Sequence, residues 1–321
     1  MITASHLSKE FLIDRNKTEY IRGKILGKTE KSSYKAVDDV SFYIPKGELV
    51  GLIGSNGAGK TTLIHLMGGS LQSSGGIIRV FNLDPCKDRK MIAPRIGTIS
   101  GCHSQLWKDL PLLDSFELVG SMYHIPRNLF RNQLNMLCEM FQLNGVSSNL
   151  VENLSLGQRM RAEFVYSMLH NPEILILDEP TIALDLSGKE QIYRMLKTAV
   201  KKNGMTVVLT TSDVRELEHL CTRVMLMDKG KIIYDGDAGR FKSEYAFQHT
   251  IKIELLDGLP DLQDLPILRY SITHNTMRIS YDSKLISKGT ILSHIISQCR
   301  IKDIQTIELD IEDVLSEIFK K

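Results

Sequence analysis

At 321 residues the chain exceeds the usual size of a single core, which points to one large domain and a smaller one. With 42% apolar and 24% charged residues it has the composition of a folded protein, not a disordered one, and a formal charge of +2 excludes a general nucleic-acid binder. Five cysteines, Cys86, Cys102, Cys138, Cys221 and Cys299, form no CxxC pair and no metal-ligand spacing, as expected of reduced packing thiols in a cytosolic protein.

The N-terminal stretch MITASHLSKEFLIDR lacks the basic-then-apolar order of a signal peptide. No apolar run approaches the roughly 20 residues needed to cross a bilayer. Two strand patterns follow in AVDDVSFYIPKGELVGLIG, parted by a Pro45-Lys46-Gly47 turn; the second is all apolar, as in a strand buried on both faces. GSNGAGKT, residues 54–61, then satisfies GxxxxGK[ST] between that strand and a helix carrying Leu63, Ile64, Leu66 and Met67 on its apolar face. In such a loop Gly54, Ser55, Asn56, Gly57, Ala58 and Gly59 let the backbone close on a β-phosphate, with the helix N-terminus adding favourable partial charge. Lys60 reaches the β- and γ-phosphates, Thr61 ligates Mg²⁺ and Thr62 lies nearby.

Between residues 111 and 169 the pattern turns to amphipathic helices, with Leu134, Leu137, Met140 and Phe141 at helical spacing. EILILDEP, residues 173–180, is a buried strand ending in two carboxylates: Asp178 at the sheet edge suits a water-bridged Mg²⁺, and Glu179 is placed to orient or deprotonate an attacking water. VVLTT is a further strand, and RVMLMD and KIIYDG form a hairpin around Lys229-Gly230. A parallel α/β core with a helical insert results. Beyond about residue 242 IKIELL, ILRYSI, TMRISYD and IQTIELD read as strands, and LISKGTILSHIISQC and IEDVLSEIFKK as helices. They predict a small α+β domain at 245–321 beside a domain at 1–244, with the boundary near 244–247.

LSLGQRMR, residues 154–161, completes the pattern: with the two motifs above, the chain resembles the ATP-binding subunits of ABC transporters, whose signature is LSGGQ. Ser155, Gly157 and Gln158 match, and Leu156 stands at the third position. The resemblance implies a P-loop NTPase cassette, a RecA-like core with a helical subdomain, that binds ATP and Mg²⁺ and hydrolyses ATP. It also implies that Ser155 and the Gly157 N–H contact the γ-phosphate held by an opposite subunit, so that sites are shared across a homodimer or a heterodimer. ALD, with Asp185, corresponds to the loop linking the two sites. SQLWKDLPLLDSFEL, residues 104–118, is closest to ATPases of ABC-2 type exporters. This implies a membrane permease partner, a cytoplasmic location on the inner face of the membrane and no nucleic acid. The resemblance is strong over about residues 1–240.

Two phosphate-sensing positions depart from the family. Its switch histidine falls on Ser212, whose hydroxyl is short and uncharged, and its sensor glutamine falls on Cys102, with Gln105 an imperfect stand-in. Lys60, Asp178 and Glu179 remain, so binding is expected more securely than turnover. A catalytically weak or regulatory ATP-binding subunit and a soluble non-transport ABC ATPase stay open as alternatives. The adenine-stacking aromatic is Phe11 or, after an insert of some 20 residues, Tyr34. That insert, residues 15–35, holds seven Lys/Arg against two Glu and reads as a solvated face or as a contact to lipid or the membrane subunit.

Overall fold

A computed structural model of the protein describes residues 1–14, 31–100, 104–182, 184–245 and 248–307. The insert between residues 15 and 30, Cys102, Ala183 and the last expected helix lie outside these residues. The chain divides into two compact units, one of residues 1–212 and 219–235, the other of 213–218 and 236–321.

In the first unit, β1 (Ile2–Asp14), β2 (Lys31–Ile44), β3 (Leu49–Gly54), α1 (Lys60–Met67) and β4 (Gly75–Val80) come first. The short α2 (Arg89–Ile92), β5 (Ile96–Ser100), α3 (Leu112–Met122), α4 (Arg127–Met140) and α5 (Leu156–Met168) follow. Next are β6 (Ile174–Asp178), α6 (Leu186–Asn203), β7 (Thr206–Thr211), β8 (Arg223–Asp228) and β9 (Lys231–Asp237); α7 (Val214–Leu220), between β7 and β8, has its residues up to 218 in the other unit.

A six-stranded sheet runs in the order β5-β6-β7-β3-β8-β9, and its β5/β6, β6/β7, β7/β3 and β3/β8 pairs are parallel. The all-apolar reading of β3 is matched by burial of every residue in it, as a central parallel strand requires. A three-stranded antiparallel sheet, β2-β1-β4, forms a second layer. One buried cluster joins Leu7, Val37 and Ile78 of that layer to Leu63, Leu66 and Met67 of α1 and to Leu52, Ile176, Val208 and Met225 of the central strands. The first helix is thereby fixed against both layers. Between β5 and β6, helices α3, α4 and α5 pack on one another through buried Phe116, Leu134, Leu137 and Phe141, with Phe141 stacked on Phe164 at 5.6 Å. Met140, expected on that face, is exposed, because Leu137 and Phe141 already take the inward positions one turn apart.

The second unit carries α8 (Ala238–Tyr245), β10 (Gln248–Leu255), β11 (Ile267–Thr273), β12 (Thr276–Asp282), α9 (Lys288–Ile296) and β13 (Ile301–Ile307). Its strands form an antiparallel sheet in the order β11-β12-β10-β13. Ile251, Ile253, Met277 and Ile279 of the sheet share a core with Ile291 and Ile295 of α9, whose start is capped by Ser287 accepting from the Thr290 amide at 3.1 Å.

Candidate functional site

Because β3, β6 and β7 are parallel neighbours, Gly54, Asp178 and Thr211 reach the same edge of the sheet, the edge at which crossover loops build sites. The loop leaving β3 is shaped by backbone crowding. A side chain on Gly54 would strike the carbonyl oxygen of Met227 on β8, and one on Gly59, at φ 105°, would strike that of Ala36. The loop is also braced from the β8–β9 turn: the Gly230 amide donates to Ala58 O at 2.9 Å, and Gly230 O accepts from the Asp38 amide at 2.9 Å. Lys229 and Gly230 both have positive φ, 46° and 82°, as the two central residues of a tight two-residue hairpin turn do.

Lys60 opens α1 and is only 6% exposed. Its ammonium turns back into the loop, donating to Gly54 O at 2.7 Å and Ser55 O at 3.1 Å. Burial pulls its pKa below the usual lysine value, and the carboxylates of Glu179 and Asp178 oppose that shift. The result is a buried cation facing two carboxylates.

At the end of β6, Asp178 and Glu179 are both half-buried. Thr210, directly opposite Asp178 in the β6/β7 register, donates its hydroxyl hydrogen to Asp178 Oδ1 and accepts from the Glu179 amide at 2.9 Å. Glu179 has a left-handed backbone, φ 48°, which costs a residue with a Cβ ~1–2 kcal/mol. The sequence signal for Thr210 is a hydroxyl at the end of the otherwise apolar, buried run VVLTT.

A cavity of about 260 Å³ is lined by Asn56 to Thr62 of the loop and first turn, by Glu179, and by Phe11, Tyr34 and Ala36. The two aromatic candidates are cross-strand partners in the β1/β2 register, and the Tyr34 hydroxyl donates to Gly57 O at 3.0 Å. The insert therefore separates them along the chain while the sheet sets them side by side.

Other expected residues lie apart from this cavity. The side chain of Gln105 turns onto β5, where its amide donates to Thr98 O, and its backbone amide donates to Glu163 at 2.9 Å. Ser212 follows β7 with its side chain exposed. Ser155 caps α5 in a reciprocal box: its hydroxyl accepts from the Gln158 amide at 3.2 Å and its own amide donates to Gln158 Oε1 at 2.9 Å. Asp185 caps α6, accepting from the Gly188 amide at 2.9 Å. Gly157 lies beside the Leu184 side chain, so the starts of α5 and α6 come together. Close to them in sequence, Leu156, Ile182 and Leu186 are 63%, 68% and 75% exposed.

Glu163, a carboxylate of α5 with no local sequence signal, is almost fully buried. It accepts from the Ser104 hydroxyl as well as from Gln105, and burial pushes its carboxyl above the usual range.

Residues 37–182 match the family described as ABC transporter. Among curated proteins, the ABC transporter ATP-binding protein NatA of Bacillus subtilis is 30% identical over 207 residues, 64% of this chain and 84% of that protein. The daunorubicin resistance ATP-binding protein DrrA3 of Streptomyces coeruleorubidus is 33% identical over 210 residues, 65% of this chain and 66% of that protein. Among solved structures, the ATP-binding cassette MJ0796 in a post-hydrolysis dimer with ADP and Pi superposes with a TM-score of 0.63 at 22% identity, covering 74% of this chain and 99% of that one.

Proposed function

Since the chain belongs to the ABC transporter family and is an ATP-binding subunit of it, we propose that it binds ATP in the cavity beside Lys60 and powers an ABC-2 type exporter through nucleotide-driven dimer closure. The observation that carries this reading is the cavity itself, which gathers the phosphate loop, an aromatic wall and Glu179. The triphosphate lies along residues 54–62, with Lys60 leaving its loop carbonyls for the β- and γ-oxygens, and the base rests against Phe11 and Tyr34. Residues 1–244 are the ATP-binding domain in this reading, and 245–321 are an accessory domain.

Among the described residues no group of three or more His, Cys, Asp or Glu side chains could cage a metal ion. Mg²⁺ suits this site all the same, because it prefers a few hard oxygen donors together with phosphate and water, and Thr61 and Asp178 supply a hydroxyl and a carboxylate. When bound, it would neutralise charge on the phosphate oxygens. Glu179 orients the attacking water and takes its proton.

Exposed Leu156 and Leu186 directly follow the caps Ser155 and Asp185 along the chain, with exposed Ile182 three residues before Asp185, and such apolar exposure suits a face that is covered when two subunits close. Ser155, Gly157 and Gln158 of one subunit then address the γ-phosphate held by the other. Trp107, Leu113 and Leu118, exposed on the segment that follows β5 and on α3, suit a permease docking face. Among the described residues no helix is long and apolar enough to cross a membrane, and a membrane permease partner fits the proposed role in export. Its place is then peripheral, on the cytoplasmic face.

Glu179→Gln is expected to be monomeric in nucleotide-free buffer and dimeric with ATP and Mg²⁺, because the nucleotide forms part of the interface. Sedimentation that finds a monomer at saturating ATP would point instead to an obligate heteromer. Deleting residues 245–321 is expected to leave ATP binding intact, since every residue lining the cavity precedes residue 180. A truncated protein that folds and fails to bind ATP in a fluorescence titration would contradict the domain division.

A second reading, a slow or regulatory subunit, is favoured by the placement of Gln105 and Ser212: one side chain is bonded to β5 and neither lines the cavity. It predicts normal ATP affinity with weak turnover.

A further inference from the structure

Resting on the roles given above to Asp178 and Glu179, we propose that Thr210 is a positioning residue for hydrolysis, its one hydroxyl holding the metal-binding carboxylate and the backbone of the water-orienting glutamate in fixed relation. Thr210 is fully buried on β7 behind Val207, Val208 and Leu209, where an unused hydroxyl would carry a desolvation cost. Both of its bonding directions are used, and both are spent on the end of β6: it donates to Asp178 Oδ1 and accepts from the Glu179 amide at 2.9 Å. Its carbonyl accepts from the same amide at 3.2 Å.

The backbone of Glu179 needs such a restraint. A left-handed φ at a residue with a Cβ persists only where its surroundings over-determine it, and the paired contacts to Thr210 do so at the residue whose carboxylate must point at water. Ser212 leaves β7 without an imidazole to orient Glu179, so the orienting contact from this strand comes from two residues earlier. Valine has the shape of threonine without the hydroxyl. It would keep the packing, release the Asp178 carboxylate and leave the Glu179 amide only its longer bond to the carbonyl of residue 210.

The test is Thr210→Val and Thr210→Ser in the full chain, read by steady-state hydrolysis, by ATP affinity, and by hydrogen exchange of the Glu179 amide. Thr210→Val, which removes both bonds of the hydroxyl, is expected to lower kcat at least about tenfold. It should leave ATP affinity unchanged and speed exchange at Glu179 relative to the amides of Leu175 and Leu177. Thr210→Ser is expected to restore both rate and protection. A purely structural role would lower the Tm and raise exchange across β6 and β7 alike. Wild-type kcat and Glu179 protection in Thr210→Val, with Glu179→Gln inactive, would overturn the proposal and leave the site reading standing. Full activity in Glu179→Gln would overturn the site reading itself. Should Thr210→Val not fold, Thr210→Ala compared with Thr210→Ser gives the same contrast, and equal rates in those two would overturn the proposal.

Discussion

Lys60→Ala is expected to weaken ATP binding roughly 10²- to 10⁴-fold, the equivalent of two charge-assisted hydrogen bonds at ~1.5–3 kcal/mol each. The buried ammonium already lies inside the loop, bonded to Gly54 O and Ser55 O, so it needs no long excursion to meet phosphate oxygens. Burial works against its charge, and Glu179 and Asp178 work to keep it. A bound triphosphate adds further negative charge on the same side, which makes the cation worth more in the complex than in the free protein. Lys60→Met separates charge from packing, since it keeps most of the side-chain volume. Titration with a fluorescent nucleotide should find both variants equally weak; tight binding by either would remove Lys60 from the site.

Ser212→His is expected to raise the rate of hydrolysis roughly 10²- to 10³-fold, about 3–4 kcal/mol of transition-state stabilisation, with ATP affinity unchanged. The side chain at 212 is exposed at the end of β7, so an imidazole has room to extend beyond the reach of the hydroxyl. It would add an orienting group and a positive charge where negative charge develops, and Glu179 is present to use both. The wild-type protein should therefore bind ATP well and turn it over slowly in a phosphate-release assay. Brisk wild-type hydrolysis that Glu179→Gln abolishes and Ser212→His leaves alone would show that another group serves at this position. A flat response in Ser212→His that becomes large once Cys102→Gln is added would assign the remaining deficit to the second altered position.

The parts of the site that were legible in the sequence are those made by neighbours along the chain. The β3-loop-α1 unit is one such part, because an apolar run, a glycine pattern and a lysine lie within a dozen residues and each constrains the next. The carboxylates at the end of β6 are another. The reciprocal cap at Ser155 and Gln158 follows the S-x-x-Q spacing, at a serine that the family resemblance assigns to phosphate contact together with the Gly157 amide. What was not legible depends on strand order and register. Phe11 and Tyr34 were weighed as rivals, yet in the β1/β2 pairing they are opposite one another, and no local pattern fixes a register across 22 intervening residues. The bonds from Thr210 to β6 require that β6 and β7 be adjacent, a fact of topology. Burial of Glu163 was hidden for the same reason, since its partners Ser104 and Gln105 are more than 50 residues earlier in the chain.

The turn at Lys229 and Gly230 bears on how the protein is made. The phosphate loop is encoded before residue 62, but its shape is held by Gly230, by Met227 beside Gly54, and by Asp38 bonded to the same turn. Contacts this distant in sequence close late, after the intervening chain has found its place. A ribosome-bound fragment ending before residue 230 would carry every residue of the loop and lack the brace that sets its curvature. Competence to grip a triphosphate is thus expected to arrive abruptly as the last strands of the large sheet emerge, making nucleotide capture a report that this whole unit has finished folding.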